Sequence, residues 1–180
     1  LYTIKIHDFF FHEDQLLEFH WPESLSVTWY ESISGEEFSP CRRLVPGCVK
    51  SFIGGREPYR ALIHKQIPIV SIGVEITPAY YRDYLRRQFP EEYQSLLESF
   101  QTLDQTEHFP EMVQLLKQVR DYRGEGLPAR LFYDGKVAEA VALVVERHLK
   151  RGNRRSVSAE DMVRLADVAA FITAHCADEL

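Results

Sequence analysis

The sequence predicts an α+β fold, in which an antiparallel β-barrel or sandwich precedes a helical region with one long helix. Before residue 77, short runs of aromatic and β-branched residues alternate with turn signals about every ten residues. After residue 77, apolar residues recur at helical spacing. No long helical pattern separates the strands, which disfavours a βαβ array and a dinucleotide fold.

Residues 4–11, 15–21 and 24–33 read as strands, with turns near Glu13-Asp14, Pro22-Glu23 and Ser34-Gly35. A second set covers residues 49–53, 59–65 and 69–76, punctuated by Pro46-Gly47, Gly54-Gly55-Arg56-Glu57-Pro58 and Pro68. Six short strands without crossover helices suit a sandwich or small barrel. Thr77 can cap a helix whose first position is Pro78. That helix, 78–88, sets Tyr81, Tyr84 and Leu85 on one side. Pro90 opens a second, with Tyr93, Leu96, Leu97 and Phe100 as its stripe. Pro110-Glu111 opens a third, carrying Met112, Val113, Leu115, Leu116 and Val119, and Gly124-Glu125-Gly126 stops it. The long helix covers about 129–151, with Val137, Val141, Val144, Val145 and Leu149 as a broad apolar face. Arg147, Lys150 and Arg151 suit its C-terminal dipole, and Gly152-Asn153 ends it. Ser158-Ala159-Glu160-Asp161 reads as a variant capping box before a helix carrying Met162, Leu165, Val168, Ala169 and Ile172. The expected division is a β-rich subdomain over 1–77, a helical subdomain over 78–152, a linker over 153–160 and a further helix over 161–180.

With 180 residues, the chain can bury a core as one domain or one domain with a small appendage. Its 45% apolar and 27% charged content excludes collagen, low-complexity disorder and a disulfide miniprotein. No apolar run reaches the ~18–20 residues of a membrane span. A net charge of −6 argues against this chain alone forming a nucleic-acid surface. Cys41, Cys48 and Cys176 are odd in number and widely spaced, and read as reduced cytoplasmic thiols. The chain opens on Leu1 directly in a strand-like pattern and stops at Asp178-Glu179-Leu180 just past a helical one, so a fragment of a longer protein is expected.

Little points to catalysis. There is no GxSxG elbow or cysteine-protease neighbourhood. Gly54-Gly55-Arg56 lacks the lysine and following helix of a phosphate loop, and the pairs Glu36-Glu37 and Glu91-Glu92 read as solvated. The seven histidines are scattered, without HxH or HExxH spacing. No metal or other cofactor is expected, and no enzyme. The strand aromatics suggest binding instead, because small-molecule sites combine aromatic walls with a few polar anchors. Alternation along 27–33 puts Val27, Trp29, Glu31 and Ile33 on one face and Thr28, Tyr30 and Ser32 on the other. The candidate ligand contacts are Phe11, Trp21, Trp29 and Tyr59, with Trp29 stacking on the ligand and Arg42 and Arg43 anchoring an acidic group. On the long helix, Val137, Val141, Val144 and His148 are the candidate contacts of a homodimer. The basic run Arg147, Lys150, Arg151, Arg154 and Arg155 suits a DNA-proximal linker.

Three passages resemble the AraC-type transcription regulators. Ile67-Pro68-Ile69-Val70-Ser71-Ile72-Gly73-Val74-Glu75-Ile76-Thr77-Pro78, with Tyr80-Tyr81, is similar to the strand-to-helix junction of a bacterial branch with a long sensor region. Leu131-Phe132-Tyr133-Asp134-Gly135-Lys136-Val137-Ala138-Glu139-Ala140 resembles its long helix, with Lys136 and Glu139 in Lys-x-x-Glu spacing. Asp167-Val168-Ala169-Ala170-Phe171-Ile172-Thr173-Ala174-His175 resembles the first helix of the family's DNA-binding domain.

The resemblance implies a cupin-like effector-binding and dimerisation region, then the first helix of a truncated helix-turn-helix domain over 161–180. DNA would be bound only through parts beyond this chain. A small-molecule effector, a homodimer, a cytoplasmic location and no membrane partner follow. Siderophores are among the effector classes of some relatives. Control would be a population shift, with a coupling of ~1–3 kcal/mol. Two other readings stay open: a metal-dependent cupin-type enzyme using His12, Glu18 and His20, and a purely structural dimerisation module with a filled interior.

Overall fold

Alternation along one central strand sets the layers of the molecule. In the computed structural model, which describes residues 1–39, 41–103, 105–106, 108–152 and 168, that strand is β3, Leu25–Ser32. Its Leu25, Val27 and Trp29 are buried on one face, and Ser26, Thr28 and Tyr30 point to the other. β1 (Tyr2–Phe9) and β8 (Ile69–Ile76) flank it, β8 directly and β1 beyond, and β6 (Val49–Ile53) lies on its other side. The two-residue β9, Gln105–Thr106, completes a five-stranded antiparallel sheet in the order β1-β8-β3-β6-β9. A second antiparallel sheet holds β2 (Gln15–Phe19), β7 (Tyr59–Ile63), β4 (Gly35–Phe38) and β5 (Cys41–Leu44), in the order β2-β7-β4-β5.

The two sheets form an open sandwich, not a closed barrel, because no described strand of one pairs with a strand of the other. Eight strands precede residue 77 where the alternation predicts six. The additional pair, β4 and β5, carries Glu36, Glu37, Arg42 and Arg43 in place of an apolar alternation.

Helices cover the outer face of the five-stranded sheet. Residues Ala79–Leu85 wind as a π-helix that runs into the single turn α1, Arg86–Gln88. Thr77 does not cap it: its hydroxyl donates to the Leu1 carbonyl at 2.9 Å, tying the start of β1 to the end of β8. The helices α2 (Tyr93–Leu103), α3 (Pro110–Asp121) and α4 (Gly126–Gly152) follow. Pro110 occupies the first turn of α3, where its missing N–H costs nothing. Gly126, at φ +64°, opens α4 three residues earlier than the apolar pattern alone indicates.

The main core fills the space between sheet and helices. Val27, Trp29, Ile72, Val74 and Ile76 meet Leu96, Phe100, Met112, Leu115, Leu116, Val119, Val137 and Val144 there. Burying each such side chain contributes about 1.5–3 kcal/mol. This core is continuous across residue 77. Leu1–Leu149 form one compact unit and Lys150–Leu180 a second. The linker expected over 153–160, with Arg154 and Arg155, and the helix expected over 161–180, apart from Val168, lie outside the described residues. Among the described residues, no helix is long and apolar enough to cross a membrane.

Candidate ligand-binding site

The inner faces of the two sheets do not meet everywhere. They enclose a cavity of about 290 Å³. β1 contributes Lys5, His7 and Phe9, β8 contributes Gly73 and Glu75, and β3 contributes Ser26, Thr28 and Tyr30. Lys50 and Phe52 come from β6, Leu17 and Phe19 from β2, and Tyr59 and Ile63 from β7. Trp21, just past β2, closes one side. Its ring meets Phe19 at 4.8 Å and Phe52 at 5.7 Å, both edge-on. Phe52 meets Tyr59 edge-on at 5.6 Å, and Phe19 meets Tyr59 at 5.4 Å, so the four rings form one connected aromatic wall.

The polar groups of this lining are paired within the wall. Lys5 Nζ donates to Glu75 Oε2 at 2.6 Å and stands 4.4 Å from the centre of the Trp21 ring. Ser24 Oγ reaches the same carboxylate oxygen at 3.3 Å. On the far side, Lys50 Nζ donates to Glu37 Oε1, and Arg42 Nε donates to Glu37 Oε2 at 2.6 Å. Glu37 is 1% exposed and Lys50 5%, so this cluster is desolvated. A buried carboxylate is tolerable only when paired in this way. Burial, then the Glu37 charge, push the Tyr30 and Tyr59 phenols up. His7, at the rim, is pushed down by burial and then by Lys5; its Nδ1 lies 3.1 Å from Ser71 Oγ. A second recess of about 490 Å³ adjoins the cavity, sharing Lys50, Phe52 and Tyr59 with it and adding Arg42 and Arg56.

The structure brings some of the expected ligand contacts together and separates others. Trp21 and Tyr59 line the cavity. Phe11 packs against the small cluster of Ile33, Ile63 and Ile69, which also lines it. Arg42 lies in the adjoining recess, held by Glu37. Arg43 is exposed, and its carbonyl accepts a hydrogen bond from Gln105 Nε2 at 3.2 Å. Trp29 faces the helices, buried in the main core with Lys117 Nζ 4.9 Å from its ring centre. Ile33 leaves the Trp29 face for the cavity side, because a bulge between Tyr30 and Ser32 shifts the register.

Glu37 is not solvated, as its charged neighbours in sequence suggest; it points inward from β4. Among the described residues, no group of three or more His, Cys, Asp or Glu is placed to hold a metal. His12, Glu18 and His20 are exposed, and Glu18 pairs with Arg60 at 3.0 Å.

Composition and motif reading missed Lys5, Lys50, Glu75 and Gly73. Their signal is the period-2 placing of polar or small residues on strands whose other face is apolar.

On α4, Val137 and Val144 are fully buried and Val141 nearly so, all three within the chain's own core. His148 Nδ1 lies 2.9 Å from Thr102 Oγ1. The large apolar side chains that this helix leaves exposed are Leu127, Leu131 and Leu149.

No protein-family model matches the chain, and no curated protein matches its sequence. Among solved structures it is similar to ToxT from Vibrio cholerae, at 8% identity and a TM-score of 0.45. The match covers 80% of this chain and 57% of that one, so the chain spans less than two thirds of the solved chain it matches. At that level the likeness adds nothing to what the strands and helices already show.

Proposed function

We propose that this chain is a small-molecule sensor, the effector-binding and dimerisation region of an AraC-type transcription regulator. One observation carries the reading: an aromatic cavity between the sheets whose polar groups face the space instead of filling it. Unfilled interior costs stability, and so do desolvated charges. A structural module would gain by closing both. The sequence resemblance supplies the family. Its first passage lies on β8 and the turn beyond, and in its second Lys136 Nζ pairs with Glu139 Oε2 at 2.8 Å.

The same strands touch both the ligand space and the helices. β1 offers Lys5 to the cavity, while Tyr2, from its other face, donates to Asp134 Oδ1 of α4 at 2.7 Å. A ligand that prefers one position of β1 would therefore bias α4, and through it a DNA-binding part beyond this chain. The protein acts in the cytoplasm and binds its effector without converting it. A second copy would meet the side of α4 that carries Leu131, since its valines serve the chain's own core.

A thermal-shift screen against siderophores, sugars, aromatic compounds and metals tests this. A specific organic ligand at 100 times its Kd should add about 2.7 kcal/mol of stability. Stabilisation by a metal alone would favour the cupin-type enzyme, and no response to any compound would favour the structural module; either result overturns the sensor reading.

A further inference from the structure

Strand register gives the cavity a shape. Lys5 pairs with Gly73, Gly73 with Thr28, and Thr28 with Lys50. These four positions form one straight row across β1, β8, β3 and β6, all facing the second sheet. Strands lie ~4.8 Å apart, so the two lysine Cα atoms are ~14 Å apart. Between them the floor is shallow: glycine and threonine in this row, with Ser26 beside them. Gly73 keeps it so, because a Cβ there would meet Thr28 Oγ1 at 2.2 Å. Above the floor stand the rings of Phe19, Trp21 and Tyr59. Each end of the row offers a donor and an acceptor already joined: Lys5 with Glu75, and Lys50 with Glu37.

Resting on the sensor reading, we propose that the effector is a flat, uncharged ring compound with a hydrogen-bonding group at each of two opposite ends. A shallow floor under aromatic rings admits a plate and stacks on it. A Lys–Glu pair at either end can accept from and donate to a hydroxyl or amide without giving up its own partner. A charged group would have to compete with Glu37 for Lys50, and at the other end take Lys5 from Glu75, whose side chain is largely buried. A flexible alkyl carboxylate has one polar end and no flat face. A pyranose would leave hydroxyls unpaired against Leu17 and Phe19. The volume of about 290 Å³ suits a bicyclic ring.

Calorimetric titration of the chain with a naphthalenediol hydroxylated at opposite ends, with the mono-naphthol, with naphthalene, with decanoate and with glucose tests this. The diol should bind about tenfold more tightly than the mono-naphthol, the worth of one good hydrogen bond, and decanoate and glucose more weakly than either. Lys50→Met, which leaves Glu37 with Arg42, should erase most of the diol's advantage over the mono-naphthol. Gly73→Ala should abolish diol binding. Should that variant fail to fold, Thr28→Leu raises the same floor and should do likewise. Tighter binding of decanoate or glucose, or a diol no better than naphthalene, overturns the proposed ligand class. The sensor reading survives that outcome as long as some organic compound binds, and falls only if none does.

Discussion

Trp21 and Trp29 stand on opposite sides of the five-stranded sheet. Trp21 lines the inter-sheet cavity beneath Lys5, with Phe52 of β6 at its edge. Trp29 is 5% exposed in the helix-side core, with Lys117 and Arg120 over its ring. The sheet thus separates a cavity lined by paired charges from an apolar core, and each tryptophan reports on one of them.

The Glu37 cluster should be the most sensitive polar point of the fold. Glu37→Ala takes a buried carboxylate from between Lys50 and Arg42 and should cost about 3–5 kcal/mol in chemical denaturation. Lys50→Met should cost less, because Arg42 still faces Glu37. A cost below about 1 kcal/mol for Glu37→Ala would mean that the cluster is solvated.

His7 should make stability fall in acid. Burial, with Lys5 adding to it, holds its pKa below the ordinary 6.5. Well above pH 6.5 the ring is neutral in both folded and unfolded chains, so it contributes no pH dependence there. As pH drops below 6.5, the unfolded chain takes up a proton that the folded one refuses, and stability declines until the folded ring titrates too. His7→Gln should flatten that part of the stability–pH curve, and an unchanged slope would place the dependence elsewhere.

Gly135 lies exposed within α4, with open space where a Cβ would go. Gly135→Ala should raise stability by about 0.5–1 kcal/mol, since glycine in a helix interior costs that much in chain entropy. Thermal melting of the two proteins checks it.

Two faces of α4 should separate stability from association. Val137→Ala opens a void in the core and should cost about 1–3 kcal/mol, with no change in sedimentation. Leu131→Glu, at a residue 61% exposed, should leave stability unchanged and weaken any dimer. The reverse pattern would place the valines at the interface.

Strong periodicity made much of the fold legible. Ile69–Ile76 and Val49–Ile53 are strands over the same residues that the alternation gives, and Pro110 marks the start of α3. The hairpin of β4 and β5 was hidden because its inward residue is Glu37, an acid whose partners arrive from β5 and β6. Trp29 shows the limit at the candidate site. Alternation separates it correctly from Thr28 and Tyr30, but no local signal says which face meets helices and which meets a second sheet. That is fixed by α2 and α3, some seventy or more residues away in sequence. Lys5 and Lys50 come into one row only through the pairing of four strands, which pattern alone does not reveal.

Fluorescence from the two tryptophans tests most directly whether the cavity between the sheets receives the effector. Each single-tryptophan protein, Trp29→Phe and Trp21→Phe, is titrated with whichever organic compound stabilises the chain. Emission from Trp21 should change with the same saturation midpoint as binding, while Trp29 stays silent. A response from Trp29 with none from Trp21 would put the ligand on the helix side of the sheet and contradict the account.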